Sequence, residues 1–383
     1  MSQKRYYKDS KNALVLTGGG ARAAYQVGVL SAIATFIPRN HSIPFPIICG
    51  TSAGAINSTG LACYASCFHL GVKKLEWVWK NLHTHRIYHS DAMRVFGHIA
   101  QGMLASFQAE HANKHPRSLL NNAPLKKLLN EVMDFQRIDK NISRGCLSAV
   151  SVTASSYTNG DSISFFQSDD SISPWKRANR RGSPAQINSD HLMASAAIPM
   201  VFPSKKIQQQ HYGDGSIHQI SPLSPAIHLG AKKIFVIGVE QPRVTSSIKG
   251  NNPHPPTTST IAGHLLDGIF SDTLQSDIER MKRINSTIAL IPEDKKINSQ
   301  QLRNIDSFTL NPSNDFNSIA VENYQELPYS IRLLLRCVGI TNDAESSLIS
   351  YLLFEKKYCQ RLIELGYQDA MEKEQQIRAF LAL

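Results

Sequence analysis

The chain opens on Ala13-Leu14-Val15-Leu16-Thr17, an unbroken apolar run of the kind a strand shows when both of its faces are buried, ended by Gly18-Gly19-Gly20. From Ala21 to Phe36 the pattern changes: Val27, Leu30, Ile33 and Ile37 recur at spacings of three and four, which predicts a helix, and Pro38 closes it. Phe45 to Cys49 reads as a second strand, entering the turn Gly50-Thr51-Ser52-Ala53-Gly54, with Ala55 to Leu70 helical after it. Strand, glycine turn, helix, strand, tight turn, helix predicts a parallel α/β arrangement.

The middle is less regular. Leu75 to Trp79, Ala92 to Phe107 and Leu119 to Val132 have helical spacing, and strands are predicted at Leu147–Thr153, Ser162–Gln167, Lys233–Val239 and Ser286–Ile291. Ser168 to Asp190 reads as a polar loop holding Lys176, Arg177, Arg180 and Arg181, and the proline-rich Gln241 to Thr260 as a long loop after a strand. Beyond Pro312 the strand signal ends. Tyr351, Phe354, Tyr358, Leu362 and Leu365 then mark an amphipathic helix. This divides the chain into residues 1–312 and a helical region, 313–383.

Asn40 to Val72 contains no Asp, Glu, Lys or Arg, yet Pro44, Pro46, Gly50, Gly54 and Gly60 interrupt it, so it reads as buried core and not as a membrane span. The polar N-terminus, with Lys4, Arg5, Lys8 and Lys11, carries no apolar leader pattern, and six scattered cysteines without a C-x-x-C pair fit a reducing compartment. A cytoplasmic protein, peripheral to a membrane at most, is the expectation. The formal charge is +11 over 383 residues. Ten acids against seven bases from Asp315 onward leave −3 there, so the upstream chain carries +14. That balance favours phosphate-rich partners, nucleic acid or anionic lipid.

Gly50-Thr51-Ser52-Ala53-Gly54 fits G-x-S-x-G between a predicted strand and a predicted helix, the context of a nucleophile elbow. Small residues at Gly50 and Gly54 let strand and helix approach, and Ser52 sits at a helix N-terminus, where the Ala53 amide favours developing negative charge. A glycine-rich turn with a capping serine is the plainer reading of the same pentapeptide. Gly18-Gly19-Gly20-Ala21-Arg22 ends the first strand at the same sheet edge. It lacks the P-loop lysine, so an oxyanion hole of backbone amides explains it better than a phosphate cradle. Arg22 either screens charge there or makes a structural ion pair. A base for Ser52 has two sources. His211, His218 or His228 would complete a Ser-His-Asp set, whereas Asp214-Gly215 places a carboxylate on a tight turn, or is only a hairpin turn. His83, His85 and His89 lack the accompanying ligands of a metal site, and the Lys176–Arg181 cluster lacks the aromatic interleaving of a nucleic-acid surface.

These residues resemble the patatin-like phospholipases, which share their catalytic core with the cytosolic phospholipase A2 group. Leu14 to Leu30, with Gly18-Gly19-Gly20-Ala21-Arg22, is similar to the family's oxyanion loop and first helix, and Gly50 to Gly54 to its elbow. Ala194-Ser195-Ala196-Ala197-Ile198-Pro199, with Val201-Phe202-Pro203, resembles the segment before its catalytic aspartate, and Asp214-Gly215 follows where that aspartate is expected. The resemblance covers roughly 12–72 and 188–240. It implies a three-layer α/β/α sandwich with a mostly parallel sheet and a C-terminal helical extension. It also implies a Ser52/Asp214 dyad without histidine, an oxyanion hole at Gly18, Gly19 and Gly20, and no metal or organic cofactor. The implied activity is hydrolysis of phospholipid or lysophospholipid esters, with anionic membrane contact and no nucleic acid. Ala23 and Ser216 depart from the commonest family pattern without removing a catalytic group. A soluble-substrate Ser-His-Asp esterase or thioesterase, and a non-catalytic lipid- or partner-binding protein of the same fold, are the alternatives.

Overall fold

The structure, a computed structural model, describes residues 10–91, 97, 118–242, 268, 272–292, 303–337 and 347–383. Strands β1 (Asn12–Leu16), β2 (Ile47–Thr51), β3 (Ala149–Ser156), β4 (Ser162–Ser168), β5 (Trp175–Arg177), β6 (Arg180–Pro184), β7 (Lys205–Ile207), β8 (Gln210–Asp214), β9 (Lys233–Ile237) and β10 (Asp306–Leu310) form one sheet. Its order is β10-β9-β1-β2-β3-β4-β6-β5, with β8 also on β3 and β7 on β8. The run from β10 to β3 is parallel throughout. Alternate residues of these strands enter two cores: Leu14, Leu16, Ile48, Val150 and Phe235 face one side, and Ala13, Val15, Ile47, Cys49 and Ile234 the other. Burial on both faces is why β1, β2 and β9 read as apolar runs.

The helices are α1 (Ala24–Thr35), α2 (Ala53–Cys63), α3 (Phe68–Lys80), α4 (Thr84–Ile87), α5 (Ala123–Val132), α6 (Gln136–Ser143), α7 (Ser189–Ser195), α8 (Ser224–His228), α9 (Asp272–Ala289), α10 (Phe316–Glu322), α11 (Tyr329–Cys337), α12 (Leu348–Leu352), α13 (Lys356–Glu372) and α14 (Glu374–Leu381). Side chains of α1, α2, α3, α12 and α13 fill the larger core, and those of α8 and α9 the smaller one. The layers are therefore helix, sheet, helix, as expected. Among the described residues no helix is long and apolar enough to cross a membrane. The uncharged stretch 40–72 is spent on β2, α2 and their flanks in the interior.

Four local expectations change. Ser286–Ile291 is not a strand: most of it continues α9, whose buried Leu274, Ile278, Met281 and Ile288 keep helical spacing, and the outer strand is β10 instead. The polar stretch 168–190 contains the β5–β6 hairpin, whose outer position lets it stay charged and hides its period. The helix expected over 55–70 breaks at Tyr64–Cys67, where Ala65 O accepts from Ile43 N (2.8 Å) and Phe68 N donates to His41 O (2.9 Å). The helix expected through 351–365 is two, α12 and α13, parted at Leu353–Glu355. The helix expected over 92–107 and most of the loop expected over 241–260 lie outside the described residues.

Helix α13 crosses α1 at two glycines. A Cβ on Gly28 would stand 2.0 Å from the Ile363 carbonyl oxygen, and one on Gly366 would stand 2.1 Å from that of Tyr25. The contact is backbone against backbone, so no rotamer change makes room for a methyl group. We expect Gly28→Ala to lower stability by about 1–3 kcal/mol, read as a lower urea midpoint at unchanged slope; an unchanged midpoint would show that the helices part without cost.

Candidate active site

Strand β2 ends at Thr51, and Ser52 turns the chain into α2 with φ 54 and ψ −127. A side-chain-bearing residue takes up positive φ only where its surroundings impose it, and here the glycines leave room for the turn. A Cβ on Gly50 would lie 2.3 Å from Ser58 Oγ, and one on Gly54 would lie 2.3 Å from the Leu16 carbonyl oxygen. Ser52 is 1% exposed.

Strand β3 aligns the second group. Thr51 pairs with Thr153, and on the next residue of β3 Ala154 pairs with Asp214. Because Ala154 also pairs with Ile163 of β4, β8 must use the edge that β2 has just left. Asp214 therefore stands where β2 would have continued had Ser52 not turned away. Ser52 Oγ donates to Asp214 Oδ2 at 2.5 Å, and Asp214 Oδ1 accepts from the Ser216 amide at 2.9 Å. Asp214 is fully buried, and burial pushes its carboxyl from 3.8 up to about 6, while hydrogen bonds from Ser52 and Ser216 pull the other way. Among the described residues no histidine is hydrogen-bonded to Ser52: His211 lies exposed on β8, and His218 follows the short 3-10 turn Gly215–Ile217. His83 stands 2.9 Å from a Glu355 oxygen and stacks on His85.

The glycine loop lies beside this pair, at the carboxyl end of β1. Gly20 has φ 54, and a Cβ there would stand 2.4 Å from the Tyr351 carbonyl oxygen. No group among the described residues accepts from the amides of Gly18, Gly19, Gly20 or Ala53 outside regular secondary structure. Arg22 is fully buried and its guanidinium is held by the C-terminal region: Nε donates to Ser350 Oγ (2.8 Å), Nη1 to Tyr351 Oη (2.9 Å) and Nη2 to Asn317 Oδ1 (3.0 Å), with the Tyr351 ring 3.8 Å away. From Ser52 and Gly20 an apolar cavity runs between helices, walled by Leu75, Trp79, Leu125, Leu129, Phe202 and Phe354 among others.

A family model for the patatin-like phospholipases matches residues 14–227, more than half of the chain. The chain belongs to that family. Its members are lipid acyl hydrolases, and the matched span carries both the elbow serine and Asp214. Among solved structures, VipD from Legionella pneumophila is similar at 12% identity and a TM-score of 0.36; the match covers 97% of this chain and spans 66% of that one. No curated protein matches.

This patatin-like site also uses residues whose part the sequence did not reveal. Ser195 accepts from the Ser52 amide at 2.8 Å and donates to the Thr153 carbonyl at 2.5 Å, tying elbow, α7 and β3 together. Its one readable sign is a lone hydroxyl in the otherwise apolar Ala194–Pro199. Gln219 accepts from Thr51 Oγ1 at 2.7 Å. Asn317, Ser350 and Tyr351, which hold Arg22, come from a region with no recognisable motif.

The raised Asp214 carboxyl has a consequence for stability. Its folded pKa exceeds the unfolded value, so the native state holds the extra proton between about pH 4 and pH 6 and stability falls as pH rises through that window. Above it, the ionised group costs on the order of 3 kcal/mol. Asp214→Asn should flatten this limb of the stability–pH curve, measured by urea unfolding from pH 4 to 8; a limb of unchanged slope would assign it to other groups.

Proposed function

We propose that this protein is a lipid acyl hydrolase of the phospholipase A or lysophospholipase type that works through a Ser52/Asp214 dyad and an acyl-serine intermediate. The observation that carries the reading is the 2.5 Å hydrogen bond from a strained, buried serine, which lines an apolar cavity, to a fully buried aspartate. Ser52 is oriented by the hydrogen bond that its backbone amide donates to Ser195 and by the elbow, so its hydroxyl is spent on Asp214 and not on solvent. An exposed aspartate is a feeble base. Burial brings Asp214 closer to the working range of a general base while leaving it ionised at neutral pH.

In the first half-reaction Asp214 takes the Ser52 proton as Oγ attacks the ester carbonyl carbon. The oxyanion that forms is held by the amides of Gly18, Gly19 and Gly20, with the Ala53 amide at the head of α2 adding to them. Asp214 then returns the proton to the leaving alcohol, the lysolipid or glycerophosphoryl part, as the carbon–oxygen bond breaks. The acyl chain stays on Ser52, in the apolar cavity. In the second half-reaction Asp214 removes a proton from water, which attacks the acyl-serine, and that proton passes to Ser52 Oγ as the fatty acid leaves. The apolar wall favours a hydrocarbon chain over a polar acyl group, which supports lipid over a soluble thioester.

Ser52→Ala should fold and lose turnover of a short-chain aryl ester and of mixed phospholipid vesicles, with released fatty acid and lysolipid read by mass spectrometry. Asp214→Asn should lower kcat/KM by about 10²–10⁴-fold, while His211→Ala and His218→Ala stay near wild type. Loss in either histidine variant would instead favour the Ser-His-Asp esterase. A fluorophosphonate probe that leaves native protein unlabelled would favour the non-catalytic reading. Because the ionised carboxylate is the base, kcat/KM should decline as pH falls through about 6; a flat profile between pH 5 and 8 would remove Asp214 from that role.

A further inference from the structure

The carboxyl edge of the sheet carries exposed groups that neither the core nor the proposed reaction uses. Ser155 of β3 pairs with Ser162, Ser162 with Arg180, and Arg180 with Arg177, so the tip of the β5–β6 hairpin stands one residue beyond the level of Asp214. Lys176 and Arg177 on it are exposed, as is Lys206 on the neighbouring β7–β8 hairpin. The two hairpins meet where Arg181 Nη2 donates to Gln210 Oε1 at 3.3 Å. The acids at this edge are already engaged: Asp161 lies 3.9 Å from Arg181, and Asp190 sits between Lys126 and Lys205 at 2.7 and 3.0 Å. Lys176, Arg177 and Lys206 face no carboxylate among the described residues.

Met200 stands at the same edge. Its loop supplies Ala196, Ile198 and Phe202 to the apolar cavity, but Met200 itself is 78% exposed, at φ 64. The exposure is built in. Leu119 N donates to Met200 O (2.8 Å), Leu120 N to Val201 O (2.9 Å) and Phe202 N to Ile198 O (2.9 Å), so the loop is held on both sides of a side chain directed to solvent. Ala197 O accepts from the Asp214 amide at 2.9 Å, which fixes the loop next to the catalytic base. Tyr157, just past β3, is 48% exposed there as well. Cations without acids beside exposed Met and Tyr match a surface with phosphate outside and hydrocarbon within.

We propose that this edge docks on an anionic phospholipid bilayer, with Lys176, Arg177 and Lys206 on headgroup phosphates and Met200 in the acyl region at the mouth of the cavity. The proposal rests on the lipid acyl hydrolase reading. It specifies the face through which lipid enters.

The test uses the full chain carrying Ser52→Ala, so that binding is measured without hydrolysis and independently of whether the catalytic reading holds. Vesicles of phosphatidylcholine, alone or mixed with phosphatidylglycerol, are floated with four proteins: the Ser52→Ala parent, the parent with Lys176→Glu and Arg177→Glu, the parent with Met200→Ser, and the parent with Lys282→Glu and Arg283→Glu. The last pair makes the same charge change on exposed positions of α9, near where Asn285 joins Ile305 at the opposite edge. Thermal midpoints verify folding. The hairpin pair should reduce partition into anionic vesicles by about tenfold or more, Met200→Ser by about threefold or more, and the α9 pair by less than about twofold. Equal loss from both charge pairs would reduce the effect to net charge and overturn the proposal, as would parent binding that is indifferent to phosphatidylglycerol. Displacement by heparin with no effect of Met200→Ser would overturn it in favour of a soluble polyanion.

Discussion

Strand β3 offers one backbone edge to two strands in succession, and the candidate active site is the point where one hands over to the other. β2 uses the edge through Thr153 and then turns away at Ser52; β8 arrives from the opposite direction and uses it from Ala154. A serine that must leave a strand sharply and an aspartate that must end one are brought within hydrogen-bond distance by ladder register, with no long side chain needed to reach across. Ser195, bonded to the Thr153 carbonyl and to the Ser52 amide, pins the handover at the residue where it occurs.

That geometry also accounts for the chemistry of the base. An aspartate has a short side chain and can meet the serine only if the backbones come close, and such closeness excludes water from around the carboxylate. Burial and reach therefore come from one cause. The same crowding that raises the Asp214 pKa makes its ionised form costly, and the hydrogen bonds from Ser52 and Ser216 return part of that cost. In the proposed reaction the site trades some stability for basicity.

The parts legible in the sequence are those that local rules fix. Gly50 and Gly54 are needed because backbone passes within contact distance of them, and the strand–turn–helix context exposes that need. β1, β2 and β9 are readable because two-faced burial leaves short apolar runs. What stayed hidden depends on distant partners. The outer strand β10 has a half-buried, partly polar sequence and takes its identity from β9. The β5–β6 hairpin has too few buried positions to show a period. The break between α12 and α13 follows from Glu355 accepting from the Thr84 amide, a contact across 271 positions of chain. Arg22 was readable as functional or structural, and only the fold reveals the hydroxyls and amide that surround it.

The bonds that hold Arg22 tie the glycine loop to a distant part of the chain. Ser350 and Tyr351 hold its arginine, and the Tyr351 carbonyl lies against Gly20, from more than three hundred positions along the chain. The loop that faces the elbow and the buried aspartate therefore has this support only where α12 is docked against it. In the acyl hydrolase proposed above, the amides that would hold the oxyanion are thus braced by the C-terminal helices and not by the glycine loop alone.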